Sequence, residues 1–314
     1  MNPPDMNLIH QPIVSSNASE NNPMSNIDLN FTPIMSNISL TNGSPIKGHR
    51  AIVHPNGNVL GIVGDNYRVI TNAELFERVD HAIHTNLNSS AIDTMQIIDK
   101  ASRGYARTFR DIRFPEISRS ITTSRHKTDV GFRIIIDNSF DGSGSVKILL
   151  GAIDFFCTNG MVHGSYDVFK KVHKGSNEIP SFDGLFIKAL EQYTNKMELY
   201  QTWASKELKN QSVHRFIETL FPNENTKKNI NLPYNKMGDN LLSQYITEAD
   251  TRGHNVWAMY SAMTYYASHD SAQFSLNRMA NDNDTTTERL HKRNDKVMSW
   301  LNSKAWSQLV AEAA

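Results

Sequence analysis

Residues 103–127 hold the side-chain types best suited to bind an anionic polymer. The stretch contains six Arg and one Lys against two carboxylates, Asp111 and Glu116. Guanidinium groups neutralise phosphates, and aromatic rings provide stacking surfaces for unpaired bases. If residues 103–114 form a strand, every second side chain lies on the same face. The side chains of that face are Arg103, Tyr105, Arg107, Phe109 and Arg113.

More cations follow this stretch and could lengthen the same surface. They are Arg119, Arg125, Lys127, Lys170, Lys171 and Lys174. Interleaved cations and aromatics are typical of surfaces that bind single-stranded nucleic acid, either DNA or RNA. The alternative is a solvated sheet face whose arginines pair with acids. Lys+Arg and Asp+Glu both number 32, so the net charge is zero and nucleic-acid binding has to come from a local patch.

A second polar cluster surrounds a glycine turn. Its residues are Asn138, Ser139, Asp141, Gly142 and Ser143. Their oxygens could bind a hard cation, but the spacing lacks the glutamate that closes a calcium-binding loop. Hydrogen bonds from Asn, Asp and Ser side chains to the local backbone explain the same residues without a metal. The sequence therefore predicts a structural turn and no metal site.

The single cysteine, Cys157, could act with His163 or His173. A thiolate nucleophile needs an adjacent base, and a zinc site needs about four ligands. Because Cys157 follows Phe155 and Phe156 in an apolar strand, we expect a buried and unreactive side chain. One cysteine also excludes a disulfide framework, which fits a reducing compartment.

Motifs of known catalytic sites are not found in this sequence. It lacks the phosphate-binding loop, the zinc-protease motif and the nucleophile elbow, and no acidic nuclease cluster stands out. We therefore predict no catalytic residues and no cofactor, and we favour a binding protein over an enzyme. The longest apolar runs are far shorter than the roughly 20 residues that span a bilayer, so no membrane partner is expected.

Composition divides the chain into three segments. Residues 1–45 are rich in Asn, Ser and Pro, which predicts a disordered tail. Residues 46–180 are predicted to form a β-rich core with one helix. Residues 181–314 are predicted to form helices that pack on the sheet.

Local patterns supply the elements. Thr71 and Glu74 form a capping box in front of a helix at 72–87. Asn-Gly and Asp-Gly connections are too short for crossovers, so we expect an antiparallel sheet. Strands are predicted at 51–53, 59–63, 95–98, 105–114, 132–136 and 146–153. Further helices are predicted at 186–208, 213–220, 239–249, 255–268 and 286–312. Strands followed by helices, without alternation, indicate an α+β fold.

The glycine turn and a second turn resemble those of a known family. The likeness rests on Asn138-Ser139-Phe140-Asp141-Gly142-Ser143 and on Cys157-Thr158-Asn159-Gly160. This pair of motifs resembles the phage and plasmid family called domain of unknown function number 932. Flanking residues agree with it: Val63-Gly64-Asp65-Asn66-Tyr67, Asn72, Phe76, Trp257, Ala262, Thr264, Tyr266 and His269. The resemblance implies a mobile-element setting in the host cytoplasm, and it implies no reaction.

The expected function is binding of single-stranded nucleic acid during replication or recombination, as a single-strand binding or annealing protein. The alternative is a protein-interaction factor, such as a host-defence antagonist, that acts through its helices and tail. The sequence leaves self-association into a homo-oligomer open.

Overall fold

Two antiparallel sheets and a set of helices make up the chain. The computed structural model describes residues 27–154, 160–161, 168–174, 179, 181–223, 233–268 and 286–314. The first sheet has the order β1 (Ile34–Ser39), β2 (Pro45–Val53), β3 (Val59–Gly64). Two helices follow, α1 (Asn72–Asn86) and α2 (Ser89–Asp93).

The second sheet has six strands and holds the predicted basic stretch. Its strands are β4 (Gln96–Ser102), β5 (Arg107–Thr122), β6 (Lys127–Ser139), β7 (Val146–Asp154), β8 (Gly160–Met161) and β9 (Val168–Lys171). They run in the order β4-β5-β6-β7, and both β8 and β9 pair with β7. Every pairing is antiparallel, which confirms the predicted sheet type.

The remaining helices follow the six-stranded sheet, which confirms the α+β class. They are α3 (Asp183–Ser205), α4 (Asn210–Leu220), α5 (Lys236–Arg252), α6 (Val256–Ser268), α7 (Thr286–Leu301) and α8 (Lys304–Glu312). Within the described residues, none of the helices is long and apolar enough to cross a membrane.

The main apolar core lies between one face of the six-stranded sheet and the helices. Strand residues of this core include Ile112, Phe132, Ile134, Ile148 and Leu150, and α3 contributes Phe186, Tyr193, Met197 and Tyr200. The Tyr193 hydroxyl donates a hydrogen bond of 2.7 Å to the Val130 carbonyl oxygen. The helices therefore cover one face of the sheet and leave its opposite face to the charged residues described below.

Helix α1 starts where the capping box predicts. The Thr71 hydroxyl accepts a hydrogen bond from the Glu74 N–H, and the Glu74 carboxylate accepts one from the Thr71 N–H. These bonds satisfy two donors that a helix N-terminus otherwise leaves open. The next residue, Asn72, is buried and donates to the Leu29 carbonyl oxygen at 2.9 Å.

The predicted tail ends earlier than residue 45, so that boundary is wrong. Strand β1 lies inside the predicted tail, and Leu29 and Phe31 are buried. Composition underestimates order here because a few apolar side chains pack against distant parts of the chain. Residues 1–26 lie outside the described part of the structure.

The predicted helix 286–312 is two helices, α7 and α8. The Ser303 side chain caps α8 by accepting a hydrogen bond of 3.1 Å from the Trp306 N–H. Serine is a preferred capping residue, so the break is encoded locally. It lets Trp300 and Trp306 both pack into the core.

Candidate nucleic-acid interface

Strand pairing defines a charged face on the six-stranded sheet, opposite the helices. Residues that pair directly across strands lie on the same side of a sheet. One row of paired residues crosses five strands: Lys100, Phe109, Asp137, Lys147 and Lys170. We call this side the charged face; its charged residues are Lys100, Arg107, Asp111, Arg113, Lys127, Asp129, Arg133, Asp137, Lys147 and Lys170.

The centre of the charged face is a buried ion pair. Arg107 donates to both carboxylate oxygens of Asp137, with Nε and Nη2 at 3.2 and 3.0 Å. The side chains of Arg107 and Asp137 are 5% and 1% exposed. Because it makes a bidentate contact with a carboxylate and is buried, the Arg107 guanidinium holds β5 against β6 and does not face solvent.

A second ionic cluster lies further along the same strands, at Asp111 and Arg113 on β5 and Arg133 on β6. Arg113 and Arg133 are direct partners across β5 and β6, and like charges in that arrangement repel. Asp111 relieves the repulsion, with its carboxylate 3.0 Å from Arg113 and 3.7 Å from Arg133. This cluster is more open than the first, because the Arg113 side chain is 19% exposed.

The accessible cations of the charged face lie around these buried pairs. Lys100, Lys127 and Lys170 are exposed, and Lys147 is partly exposed. Lys147 and Lys170 are direct partners on β7 and β9, so they form a pair of neighbouring ammonium groups. Cations outnumber carboxylates on this face, although the chain as a whole is neutral.

The ends of β5 and β6 form a two-stranded arm. Residues 118–131, which we call the arm, pair with each other past the register shift between Phe114 and Ser118. The pairing of β6 with β7 ends at Val130, so positions 120–129 extend beyond it. Arg119 and Arg125 are exposed on the arm. Helix α3 holds it in place, because the Gln201 side chain bonds both the N–H and the carbonyl of Thr122, at 2.9 and 2.8 Å.

The predicted single face through Arg103, Tyr105 and Arg107 is wrong for its first two residues. Arg103 and Tyr105 lie in a turn before β5, with φ of 52° and 73°, outside the range of a strand. Arg103 bonds the Asp141 carboxylate at 2.9 Å, and the Tyr105 ring packs against Phe31.

Arg107, Phe109 and Arg113 do share one face, as the alternation predicts. Phe109 is 5% exposed, so its ring offers no open stacking surface in this conformation. Lys171 is on the opposite face from Lys170, because it pairs with the core residue Val146. Lys174 is exposed just after β9. Nucleic-acid binding by these residues stays a prediction.

Hydrogen bonds from its own side chains to the backbone stabilise the glycine turn, as its residue types predict. Asp141 accepts a hydrogen bond of 2.9 Å from the Ser143 N–H, and Ser139 bonds both backbone groups of Gly144. Gly142 has a φ of 75°, which favours glycine. The buried Asn138 side chain donates to the Ile70 carbonyl and to the Asn72 side chain, both at 2.9 Å.

Hydrogen bonds to Asp141 favour its ionised form. Burial alone would raise the pKa of Asp141, but hydrogen bonds from Ser143 and Arg103 and the Arg103 charge hold that pKa below its ordinary value. The Asp141 carboxylate is therefore engaged by hydrogen bonds at the glycine turn. No group of three or more side chains able to hold a metal ion is found within the described ranges.

Part of the second turn is outside the described residues. Gly160 begins β8 and pairs with Ile153. Asn159, Cys157 and His163 lie outside the described part of the chain, so the prediction of a buried, unreactive Cys157 stays a prediction.

His173 fastens the end of β9 to the loop before α1. Its Nδ1–H donates to the Arg68 carbonyl at 3.1 Å, and the Arg68 N–H donates to the His173 carbonyl at 3.0 Å. The imidazole stacks on Tyr67 at 4.8 Å, and the Tyr67 hydroxyl donates to the Ser139 carbonyl. Burial lowers the pKa of His173, partly offset by the Arg68 carbonyl and by Asp141. Burial also raises the pKa of Tyr67.

Sequence reasoning missed three cations of the charged face: Lys100, Lys147 and Arg133. Lys100 and Arg133 lie on β4 and β6, the two strands that pair with the predicted basic strand, and Lys147 lies on β7, one strand further. They join the basic surface only through cross-strand pairing. A signal was present for two of them, since Arg133 and Lys147 each lie between two apolar residues of a predicted strand. The sequence does not show the strand register, and the register is what makes these cations neighbours.

Comparison with known proteins gives one family and no close relative. The profile described as "Domain of unknown function (DUF932)" matches residues 59–298. No curated protein and no solved structure matches the chain.

Proposed function

Since the chain belongs to the DUF932 family, whose description assigns no activity, we propose from the geometry that it binds single-stranded nucleic acid. The binding surface in this proposal is formed by the exposed cations of the charged face, Lys100, Lys127, Lys147 and Lys170. The arm adds Arg119 and Arg125. The setting we propose is replication or recombination of a mobile element in the host cytoplasm, with the chain acting as a homo-oligomer.

The observation that carries this proposal is the excess of cations on one sheet face of a neutral protein. Phosphate contacts supply most of non-specific nucleic-acid affinity, so a local excess of positive charge is the main requirement. The row from Lys100 to Lys170 crosses five strands, about 19 Å at the usual strand spacing, which is long enough to contact several phosphates.

The buried ion pairs have a supporting role in the proposal. Arg107 and Asp137 hold β5, which carries Phe109, in register with β6, and β6 in turn pairs with the strand that carries Lys147. Base stacking on Phe109 would require the ring to become accessible, so we assign affinity to the exposed lysines and not to Phe109. A sheet surface with distributed cations suits a single strand, whose backbone follows the protein surface.

A salt titration tests the proposal. Affinity for a fluorescent oligothymidine is measured by anisotropy at several salt concentrations for the wild type and for Lys147→Ala/Lys170→Ala. We expect weaker binding by the double variant, and a salt slope shallower by about 0.7 for each lost phosphate contact. A duplex of equal length is measured alongside, and we expect it to bind more weakly.

Lys304→Ala is the matched control, because Lys304 is exposed at the start of α8 in the helical region. Its affinity and salt slope should equal those of the wild type. The proposal is overturned if the wild type shows no salt-sensitive binding, or if the double variant binds as the control does. The protein-interaction alternative would then take precedence.

A further inference from the structure

The position of Lys170 on the charged face depends on a short strand that is followed by His173. Strand β9 pairs with β7 from Val168 to Lys171, and Lys170 lies beside Lys147 in one of these pairs. Just beyond the strand, His173 is buried, with 2% of the residue exposed. A strand this short has few bonds of its own, so the attachment of its end decides how firmly Lys170 is held.

Three contacts attach His173 to the loop before α1. The Nδ1–H donates to the Arg68 carbonyl oxygen at 3.1 Å, the Arg68 N–H donates to the His173 carbonyl oxygen at 3.0 Å, and the imidazole stacks on the Tyr67 ring with the two planes 12° apart. Because a carbonyl oxygen only accepts, Nδ1 carries the proton of the neutral imidazole, and Nε2 is the atom that takes up a second proton. In the part of the chain that the structure describes, Nε2 is buried and has no hydrogen-bond partner. A second proton would therefore leave a charged donor buried and unsatisfied, since the neighbouring cations Arg68 and Lys174 have exposed side chains and bring no acceptor.

Two other titratable side chains of the described residues act on this imidazole, and neither changes its charge near neutral pH. Tyr67 is stacked against it, and burial raises the pKa of Tyr67, so the phenol stays neutral. Asp141 acts on the imidazole from the glycine turn. Although burial alone would raise the pKa of Asp141, hydrogen bonds from Ser143 and Arg103 hold that pKa below its ordinary value, so the carboxylate stays ionised. In this cluster it is therefore His173 whose charge responds to pH between 7.5 and 5.5.

We propose that protonation of His173 releases the end of β9 and thereby weakens nucleic-acid binding at the charged face. The imidazolium is stable only where water or an acceptor reaches Nε2, so it leaves the Arg68 carbonyl and the Tyr67 ring. The end of β9 then loses its attachment, and Lys170 no longer stays beside Lys147. The effect on binding rests on the function proposed above, whereas the release of β9 does not.

The pKa of His173 sets the direction and the limit of the effect. Burial lowers its pKa in the attached state, and in the released state the imidazole returns to the ordinary pKa of about 6.5. The attachment is therefore complete above about pH 7 and weakens as the pH falls below about 6.5. Between pH 7.5 and pH 5.5, the ratio of released to attached chains increases by at most about tenfold.

Hydrogen exchange on the full chain tests the release without nucleic acid. The Arg68 amide reports on it directly, because it donates to the His173 carbonyl. Its protection factor in the wild type should decrease severalfold, and by no more than about tenfold, between pH 7.5 and pH 5.5. In His173→Asn, whose side-chain amide donates in place of Nδ1 and does not titrate, it should stay constant. The Asn302 amide, which donates to the Met298 carbonyl at 3.0 Å, is the internal control and should keep its protection factor in both proteins.

Oligothymidine affinity at the same two pH values tests the consequence for binding. Exposed histidines gain positive charge at the lower pH, which by itself favours phosphate binding, so a loss of affinity runs against the general trend. Relative to His173→Asn, the wild type should lose about threefold or more in affinity at pH 5.5. His49→Gln removes an exposed imidazole on β2 and should follow the wild type.

Two results overturn the proposal. One is a wild-type Arg68 amide whose protection factor does not change with pH, and the other is release of β9 with no loss of affinity relative to His173→Asn. A wild type that binds no oligothymidine at either pH overturns the proposed function instead, and the exchange measurement then still decides whether His173 releases β9.

Discussion

The side chains of Arg107 and Asp137 are nearly inaccessible to solvent. Because they are buried, their charges act on the stability of the fold. Removing two charges from water costs several kcal/mol, and a bidentate contact offsets that cost only while both partners are present. Arg107, which the sequence predicts as a nucleic-acid contact, and Asp137 are therefore one structural unit. The charged side chains that a ligand can contact are those that stay exposed to solvent.

Replacing one partner of this pair should destabilise the fold strongly. Arg107→Ala leaves the Asp137 carboxylate buried without its bidentate donor, and we expect a loss of about 3–5 kcal/mol in the free energy of unfolding. Arg107→Met/Asp137→Leu should recover most of that loss. Urea denaturation measures all three. Arg119→Ala, on the exposed arm, should change stability by less than about 0.5 kcal/mol.

His173 should make stability depend on pH. Its folded pKa lies below that of the unfolded chain, about 6.5, so the unfolded state takes up the proton first as pH falls. The contribution of His173 is therefore complete above pH 7 and decreases below about 6.5, until the folded pKa is passed. Among the described residues, the buried Nε2 atom has no hydrogen-bond partner, so the folded state does not readily accept the proton.

A pair of variants isolates this effect. Between pH 7.5 and pH 5.5, the urea midpoint of the wild type should decrease more than that of His173→Gln. His49→Gln removes an exposed imidazole instead and should follow the wild type. Equal pH dependence in wild type and His173→Gln would contradict the assignment.

Among elements, sequence patterns predict those whose signal is local. The capping box fixes α1 to within a residue, and alternation identifies β5 to β7. Strand β1 is missed because its order comes from pairing with β2, and the split between α7 and α8 is missed although Ser303 encodes it. The candidate site is the least predictable part, because its lysines come from separate strands that only the register brings together.

Contact between the two sheets depends on the small size of Gly61. Gly61→Ala places a methyl group against the Asp141 backbone, which cannot move away as a flexible side chain would. We expect a loss of about 1–3 kcal/mol, as for overpacked cores. Gly64→Ala is the control on the same strand, since its nearest atom would be 3.8 Å away. Similar midpoints for both variants in thermal unfolding would rule out this explanation.

The position of the arm depends on Gln201. Gln201→Ala removes both hydrogen bonds to the Thr122 backbone, and hydrogen exchange at the Thr122 amide should become faster by about tenfold. Oligothymidine affinity should decrease with it if Arg119 and Arg125 contribute. Thr202→Ala alters the next residue, whose hydroxyl donates to the Glu198 carbonyl within α3, and should leave that exchange rate unchanged.

On the scale of the whole molecule, sheet and helices share one core. The main apolar cluster runs without interruption from Ile112 on β5, through Phe186 on α3, to Trp306 on α8. The segments 46–180 and 181–314 differ in composition, yet their apolar residues are buried against each other. Composition reports on local structure and carries no information about which surfaces meet.

This continuous core should unfold as one unit. Calorimetry of the full chain should show a single transition, with equal calorimetric and van't Hoff enthalpies. A measurement in dilute protein keeps self-association from broadening the transition. Two resolved transitions would mean that the β-rich and helical segments are separate domains.

The buried core extends beyond residues 59–298, the region that matches the family. This limits which part of the gene could be exchanged between relatives without loss of the fold. Residues 59–298 leave out β2, which pairs with β3, and they leave out Trp300, Trp306 and Leu309, which are buried. A recombination event that transferred only that stretch between relatives would separate β3 from its neighbour and open the helical core. We therefore expect residues 59–298, transferred alone, to give a stable fold only where the recipient supplies matching flanks.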